Sequence, residues 1–136
     1  MPNQYFSPEG DVENYFITES WLIDQWVGDT LLGWGFNLYG QIGDNTSTQR
    51  NTPVTTFAGG TNWKQVAGGY QHTSAIKTDG TLWTWGRNAY GQLGDNTATD
   101  RSTPVTTFAG GTNWKQVAGG RFYTAAIKTS DDLQGI

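Results

Sequence analysis

Residues 34–78 read WGFNLYGQIGDNTSTQRNTPVTTFAGGTNWKQVAGGYQHTSAIKT, and residues 85–129 read WGRNAYGQLGDNTATDRSTPVTTFAGGTNWKQVAGGRFYTAAIKT. The two stretches lie fifty-one positions apart and agree at thirty-five of forty-five positions, without insertion or deletion. A fixed period of this size is the signature of a repeat architecture, in which each unit buries its apolar face against its neighbours. The chain is therefore predicted to be organised around two structural repeats.

Each period contains four strand-like segments. Asp79 and Gly80 are a strong hairpin-turn pair that leads directly into an aromatic strand. Pro53 and its counterpart Pro104 should open a strand or lie on a sheet edge, because proline cannot donate to a hydrogen-bond ladder. Four short strands in about fifty residues, joined by glycine-rich turns, predict a β-propeller blade. The predicted strands of one period are residues 52–57, 63–67, 73–78 and 81–85.

The predicted fold is all-β, with two four-stranded propeller-type blades that form an incomplete β-propeller. The blades are assigned to residues 34–84 and 85–135, within a repeat region of residues 30–136. A preceding segment, residues 1–29, has no counterpart in the repeats and is predicted to be short and either partly helical or extended.

The strand that would open a third period is degraded, because Gln134 and Gly135 replace Trp83 and Thr84. Propellers typically close their ring with about four to eight blades. The open flanks of two blades are therefore expected to be covered in one of three ways. These are a longer natural chain, several copies that share one ring, or a partner protein.

The N-terminal segment, residues 1–29, is acidic and aromatic, and the first basic residue of the chain is Arg50. Val12, Tyr15 and Phe16 recur at helical spacing, although an extended arm is an equal alternative. The segment is expected either to cap the open end of the repeats or to anchor the chain to another protein. The predicted anchoring side chains are Tyr5, Phe6, Tyr15, Phe16, Trp21 and Trp26.

The composition excludes several classes of function. The net charge is −4 and 15% of residues are charged, which argues against a nucleic-acid partner, since phosphates demand a basic face. No cysteine is present, so disulfides and thiolate metal sites are excluded. No apolar run approaches the roughly 18 residues that span a bilayer, and the first residues lack the features of a secretory signal. Membrane insertion and classical export are therefore not expected.

Several spaced motifs resemble those of the regulator of chromosome condensation repeat family. They are WGxNxxGQLGD over residues 85–95, TPV over 103–105, GxxHTxA over 69–75 and DGxLW over 79–83. The resemblance covers residues 30–129 and implies a propeller of about seven blades that serves mainly as a rigid binding surface. The nucleotide-exchange activity of the founding member is not implied, because it needs a full ring and a particular partner face.

Two further phrases resemble proteins of bacteria and their viruses. The phrase TNWKQVA and the near-identity of the two copies resemble bacterial and tailed-phage versions of the family. The leader SPEGDVENYF, residues 7–16, resembles the openings of structural proteins from phages of aquatic bacteria.

No residue pattern predicts catalysis or a cofactor. His72 is the single histidine and its counterpart is Tyr123, so neither a metal pair nor a histidine base recurs. Asp44 and Asp95 each follow a glycine and could suggest calcium, but such loops are more often turns held by side-chain hydrogen bonds. The paired glycines lack the lysine and hydroxyl of a phosphate-binding loop. The sequence predicts no catalytic residue, no metal and no cofactor.

The positions that differ between the two copies point to a recognition face. In repeat proteins the framework holds the stacking, while loops on one face vary with the binding task. Aromatic residues and arginine dominate interface energetics. Neutral drift in exposed turns is the alternative explanation. The predicted recognition face comprises Phe36, Leu38, Tyr70, Gln71, His72, Arg87, Arg121, Phe122 and Tyr123.

These observations predict a non-catalytic structural or binding protein. The first hypothesis is a phage virion component, in the tail, a fibre or a decoration, which docks on the particle through its N-terminal segment and presents its blades outward. Its partners would be virion neighbours, copies of itself or a host cell-surface molecule. The alternative is a bacterial propeller module of the cytoplasm or cell surface, part of a longer chain, that binds or inhibits another protein.

Overall fold

A computed structural model describes residues 3–9, 11–16 and 29–129 of the 136-residue chain. The described residues form ten β-strands and contain no helix. The strands are β1 (Asn3–Glu9), β2 (Asp11–Phe16), β3 (Leu32–Gly35), β4 (Arg50–Thr55), β5 (Trp63–Gly68), β6 (His72–Lys77), β7 (Leu82–Gly86), β8 (Arg101–Thr106), β9 (Trp114–Gly119) and β10 (Thr124–Lys128).

One complete blade is formed by the antiparallel sheet β5-β6-β7-β8. The predicted all-β, propeller-type fold is therefore confirmed. The blade takes β5 and β6 from the first assigned repeat and β8 from the second, and the assigned boundary between residues 84 and 85 falls inside β7. The physical reason is the turn at Asp79 and Gly80, which is too short to connect anything but neighbouring strands of one sheet.

The remaining repeat strands form two half-blades with matching register. In the β3–β4 pair, Gly33 lies opposite Val54, as Thr84 lies opposite Val105 in the complete blade. The β9–β10 pair repeats the register of β5–β6 in the same way. The half-blade β3–β4 is thus the second half of a blade, and β9–β10 is the first half of another.

The core lies in the complete blade and at its two junctions with the half-blades. Trp63, Ala75 and Trp85 form one buried cluster, on which Leu31 and Trp83 pack. The second cluster consists of Ile76, Leu82 and Val117, against which Ala67, Trp114 and Ala126 pack. Because the repeats are stacked side by side, each cluster draws residues from adjacent blades.

The N-terminal strands β1 and β2 pair with each other as an antiparallel hairpin. Phe6 lies opposite Tyr15 and Tyr5 lies opposite Phe16 in this register. The helical alternative for residues 12–16 is therefore wrong and the extended one is observed, in keeping with the high β propensity of aromatic residues. The predicted anchors Trp21 and Trp26 and the degraded strand at 133–136 lie outside the described residues.

Candidate functional site

A buried asparagine organises the loop between β3 and β4. Asn37 is fully buried, and its Nδ2 donates to the carbonyl oxygens of Thr46 and Thr48 at 3.1 and 3.0 Å. Its Oδ1 accepts a hydrogen bond from the backbone N–H of Ile42 at 2.9 Å. One side chain therefore holds several turns of an otherwise irregular loop in a fixed conformation.

An aspartate completes the same loop. The Oδ1 of Asp44 accepts from the N–H and hydroxyl of Thr46, and its Oδ2 accepts from Nε of Arg50 at 2.7 Å. Burial raises the pKa of Asp44, but the hydrogen bonds from Thr46, Arg50 and Asn37 outweigh it and lower the pKa overall. Both carboxylate oxygens are thus engaged within the protein, as the turn interpretation of this motif expected. Asn88, Asp95, Thr97 and Arg101 repeat the arrangement between β7 and β8.

These rigid loops and the β5–β6 and β9–β10 loops display a continuous row of arginine and aromatic side chains. The Arg121 guanidinium lies over the rings of Tyr70 and Phe122, at 4.8 and 5.1 Å from their centroids. The Phe122 ring contacts those of Tyr70 and Tyr90, with centroids 6.2 and 4.9 Å apart. We call this row the Arg–aromatic surface, and its members are Tyr39, Tyr70, Arg87, Tyr90, Arg121 and Phe122.

Arg87 fixes the other end of the Arg–aromatic surface. Its guanidinium lies 4.8 Å from the Tyr39 ring centroid and 6.0 Å from that of Tyr90. Its Nη1 donates to Oε1 of Gln71 at 2.7 Å, and its backbone N–H donates to the Gln71 carbonyl at 2.9 Å. The half-buried arginine is therefore held in place by two rings and by Gln71.

Five members of the predicted recognition face, Tyr70, Gln71, Arg87, Arg121 and Phe122, are brought together here. Phe36 and Leu38 are exposed but line other clefts, Phe36 with Trp34 and Leu38 with Asp100. The Tyr123 ring is exposed at one border of the surface, where it lines a cavity with Phe122. The structure thus groups most of the divergent positions and separates Phe36 and Leu38 from them.

The placement of His72 on the recognition face is wrong. Its side chain is 2% exposed, and its ring lies so close to Gly69 that a Cβ there would overlap it. Its Nε2 is 3.2 Å from the Tyr123 carbonyl, to which it donates. Because Gly69 and the Tyr123 carbonyl lie directly against the ring, the imidazole is a structural element and is not exposed to a partner.

Tyr39 and Tyr90 were missed by the sequence reasoning. They are identical in the two copies, and the recognition face was inferred from the positions that differ. The signal that could have found them is their place in the loop that contains Arg87 in the second repeat and in its counterpart in the first. In both loops the tyrosine lies two residues before a glutamine that accepts its backbone N–H.

Comparison with known proteins identifies the repeat. A family model described as "Regulator of chromosome condensation (RCC1) repeat" matches residues 29–76 and 79–127, and a second model of the same description matches residues 63–92. The matched segments cover more than half of the chain. The chain belongs to the RCC1 repeat family. The resemblance inferred from the spaced motifs is thereby confirmed.

The RCC1 repeats of this chain are similar to those of several much longer eukaryotic proteins. The ultraviolet-B receptor UVR8 of Arabidopsis thaliana is 35% identical over 107 residues, which are 77% of this chain and 24% of UVR8. The human probable E3 ubiquitin-protein ligase HERC4 is 38% identical over 73 residues, 52% of this chain and 7% of HERC4. The chain spans a quarter or less of the length of these relatives, which lend no support to a bacterial or phage version.

Solved structures show the same fold. Human WBSCR16 superposes with a TM-score of 0.61 at 22% identity, covering 74% of this chain and 27% of that protein. Yeast RCC1 (Prp20), in its complex with Kap60, gives a TM-score of 0.57 at 21% identity, covering 74% of this chain and 24% of the yeast chain. These likenesses establish the RCC1-type fold.

Neither a metal site nor a membrane span is found within residues that the structure describes. No group of three or more His, Cys, Asp and Glu side chains there could hold a metal ion. No helix in that part of the chain has the length and apolar character needed to cross a bilayer.

The buried His72 predicts a loss of stability in mild acid. Burial lowers the pKa of His72 below its ordinary value of 6.5, although the hydrogen bond to Tyr123 partly opposes this. Its buried Nδ1 has no hydrogen-bond partner, so an added proton would lack an acceptor. Below pH 6.5 the histidine is therefore protonated in the unfolded chain but stays neutral in the folded chain. The free energy of unfolding then falls as the pH decreases.

The measurement is the free energy of unfolding in urea between about pH 8 and about pH 5, above the range in which aspartates titrate. We expect the slope to approach at most about 1.4 kcal/mol per pH unit, the limit for one proton. His72→Gln keeps a donor for the Tyr123 carbonyl but does not titrate, so its profile should be flatter. Equal slopes in the two proteins would contradict the assignment.

Proposed function

We propose that the chain is a non-catalytic module that binds another protein through the Arg–aromatic surface. The observation that carries the proposal is the stacking of Arg87 and Arg121 on the half-buried ring of Tyr39 and the exposed rings of Tyr70, Tyr90 and Phe122. Arginine and aromatic side chains supply most of the binding energy at protein interfaces, and rigid anchors lose little entropy on binding. The complex of the related yeast RCC1 with Kap60 supports the same class of function.

The charge of the surface indicates the chemistry of the partner. The surface carries two guanidinium groups, with Arg121 exposed and Arg87 half-buried, in a chain whose net charge is −4. Stacking on the rings leaves their N–H groups available for carboxylates, and the exposed ring faces accept further aromatic or aliphatic groups. The partner segment that fits best is therefore acidic and carries aromatic residues.

Removing both arginines is expected to weaken this binding at least about tenfold, which equals about 1.4 kcal/mol. The experiment probes a peptide array in which acidic and aromatic content vary independently, and then titrates the best peptide against Arg87→Ala/Arg121→Ala. The control is Lys64→Ala/Lys115→Ala, which makes the same change of charge at exposed positions on β5 and β9. The arginine variant should lose about 0.5–1 kcal/mol of stability per arginine from stacking, and about 0.5–1.5 kcal/mol more from the hydrogen bond of Arg87 to Gln71. Both double variants are therefore compared at a temperature at which they are fully folded. Equal affinity of the two double variants would refute the proposed surface.

We further propose that this module is a phage virion component that docks through residues 1–28. The support is the likeness of residues 7–16 to phage structural proteins and the aromatic, acidic character of the segment. Antibodies against residues 29–129 should then label intact purified particles, and mass spectrometry should find the chain in them. Particles that lack the chain would leave the bacterial binding module, which binds or inhibits another protein, as the function.

A further inference from the structure

The indole of Trp85 occupies a well-defined slot between the β3–β4 half-blade and the complete blade. The side chain is 1% exposed and its Nε1 donates to the Gln41 carbonyl at 2.9 Å. The hydroxyl of Thr73 donates to the same carbonyl at 2.6 Å. A Cβ on Gly43 would come within 2.6 Å of the indole Nε1, so the slot requires glycine there.

The same slot exists a second time at the other flank of the complete blade. Each residue that surrounds Trp85 has a counterpart fifty-one positions later, and among the described residues these counterparts line a cavity of about 340 Å³. The hydroxyl of Thr124 donates to the Gln92 carbonyl at 2.7 Å, as Thr73 does to that of Gln41. The lining counterparts are Leu82, Gln92, Gly94, Trp114, Thr124 and Ala126.

The indole that would fill the second slot is present elsewhere in the same sequence. One period after Trp85 the residue is Ile136, and Trp83 is replaced by Gln134. Trp34, the counterpart of Trp85 in the first repeat, is 62% exposed on β3. β3 pairs with β4 alone among the described strands, and β10 pairs with β9 alone. A slot without its indole and an indole without its slot therefore lie at opposite flanks of the chain.

The two half-blades are complementary halves of one blade. The β9–β10 pair has the register of β5–β6, and the β3–β4 pair has the register of β7–β8. Placing β3 beside β10 as β7 lies beside β6 would set Trp34 opposite Thr124, as Trp85 lies opposite Thr73. It would also cover Ile127, which is 52% exposed, whereas its counterpart Ile76 is fully buried.

The divergent positions change together across this junction. Within the chain, Gln71 of one repeat contacts Arg87 of the next through a polar hydrogen bond of 2.7 Å. Their counterparts are Phe122 and Phe36, which are 39% and 54% exposed. In a junction between copies, a polar pair would thus be replaced by an apolar pair. Neutral drift at two independent positions would not be expected to change both members of the pair from polar to apolar.

We propose that the chain assembles head to tail with further copies of itself. β3 of one copy pairs antiparallel with β10 of the next, Trp34 enters the slot beside Gln92, and the two half-blades complete a four-stranded blade. The described repeat strands of each copy amount to two blades. Because propellers close with about four to eight blades, a ring built from these strands alone contains about two to four copies. The contact is heterologous, and the ring closes when its rotation matches the blade number.

The mass of the full chain in solution tests the proposal directly. Light scattering after size exclusion should give a single oligomer of two to four copies across a range of protein concentrations. Trp34→Ala should reduce it to the monomer, since the indole is removed from an exposed position. Phe57→Ala is the control, because Phe57 is 66% exposed and its counterpart Phe108 is 75% exposed beside the complete blade, so completing a blade does not cover this position. The variant should leave the oligomer intact. A wild-type monomer at every concentration overturns the proposal.

A second variant blocks the slot from its other side. Within the chain, a Cβ on Gly94 would meet only Thr107, at 3.8 Å. In the filled slot, a Cβ on the equivalent Gly43 would lie 2.6 Å from the indole of Trp85, so a side chain at Gly94 should overlap the Trp34 indole of the next copy. Gly94→Asn should therefore dissociate the oligomer, since asparagine tolerates the positive φ of 67°. Gly110→Asn has the same backbone requirement, with φ 63° and open space around its Cβ, and should not.

Disulfide trapping tests the register. The chain contains no cysteine, so Gly33→Cys/Ala125→Cys introduces one pair that the proposed junction places directly opposite, as Ser74 lies opposite Thr84. Mild oxidation should convert the double variant into disulfide-linked oligomers, and a reducing agent should return them to single chains. The mass of the largest crosslinked species gives the number of copies in the ring. The single variants should remain uncrosslinked through this junction. An oligomer that the double variant fails to trap would refute the β3–β10 pairing.

This readout is separate from that of the proposed function. Assembly is measured as mass and crosslinking, whereas the Arg–aromatic surface is measured as peptide affinity. An oligomer that binds no acidic peptide would refute the proposed function alone. A wild-type monomer that binds the peptide through the two arginines would refute the assembly alone.

Discussion

Replacing Trp63 with alanine is expected to lower the free energy of unfolding by about 3–5 kcal/mol. The side chain is 3% exposed and meets the edge of the Trp85 ring, with centroids 6.0 Å apart. Its Nε1 also donates to the Gly59 carbonyl at 3.0 Å. Truncation removes one of the two indoles of this buried cluster and leaves a cavity that a stiff β-sheet can only partly close.

Urea unfolding followed by far-UV circular dichroism measures the loss, because it does not depend on the fluorescence of the residue removed. Phe57→Ala provides the control for losing an aromatic ring from an exposed position, and its effect should stay within about 0.5 kcal/mol. A Trp63→Ala protein that unfolds at the same urea concentration as Phe57→Ala would show that the blade does not depend on this cluster.

Trp63 also illustrates what the sequence could and could not predict. The period of fifty-one residues, the Asp79–Gly80 hairpin and the strand segments led to propeller blades, because each is a local property of the chain. Trp63 and Trp114 occur in the same phrase, TNWKQVA, yet Trp63 is buried and Trp114 only half-buried. The difference arises from which blade lies alongside, and identical local sequences carry no information on that.

Only part of the Arg–aromatic surface could be predicted from the sequence, because its members include both divergent and invariant positions. Comparing the copies identified Arg87, Arg121 and Phe122, because divergence marks positions that the common framework does not fix. The same comparison passed over Tyr90, which is invariant, and included His72, which is buried beside Gly69 and the Tyr123 carbonyl. The burial of His72 depends on packing against the next repeat, which a position-by-position comparison does not reveal.

The role of the loop asparagines was also beyond the sequence reasoning. Asn37 and Asn88 belong to the motif that identified the family, but the motif gave no reason for an amide at that position. The structure supplies it, because the Nδ2 group bridges to carbonyls nine and eleven residues away, at Thr46 and Thr48 in the first loop. A contact across an irregular loop leaves no periodic signal in the sequence.

Replacing Asn88 with alanine is expected to cost about 3–5 kcal/mol, because several buried groups would lose their partner together. The fully buried side chain donates through Nδ2 to the carbonyls of Thr97 and Thr99, each at 3.0 Å, and to Oδ1 of Asp95 at 3.1 Å. Its Oδ1 accepts from the N–H of Leu93 at 3.0 Å. Each unsatisfied buried group costs about 1–3 kcal/mol, and collapse of the loop recovers part of that.

The isosteric change Asn88→Asp separates the hydrogen bonds from the volume of the side chain. It keeps an acceptor for Leu93 but removes the Nδ2 donors and places a second carboxylate beside Asp95. Burial raises the pKa of Asp95, but hydrogen bonds from Thr97, Arg101 and Asn88 outweigh it and lower the pKa overall. Two neighbouring carboxylates repel, so the loss should be greatest at neutral pH and shrink as acid protonates one of them. Gln116→Ala removes an exposed amide from β9 and should change the stability by less than about 0.5 kcal/mol. If Asn88→Asp proves as stable as the wild type at neutral pH, the amide donors do not hold the loop, and its conformation must come from the Asp95–Arg101 pair and the backbone turns alone.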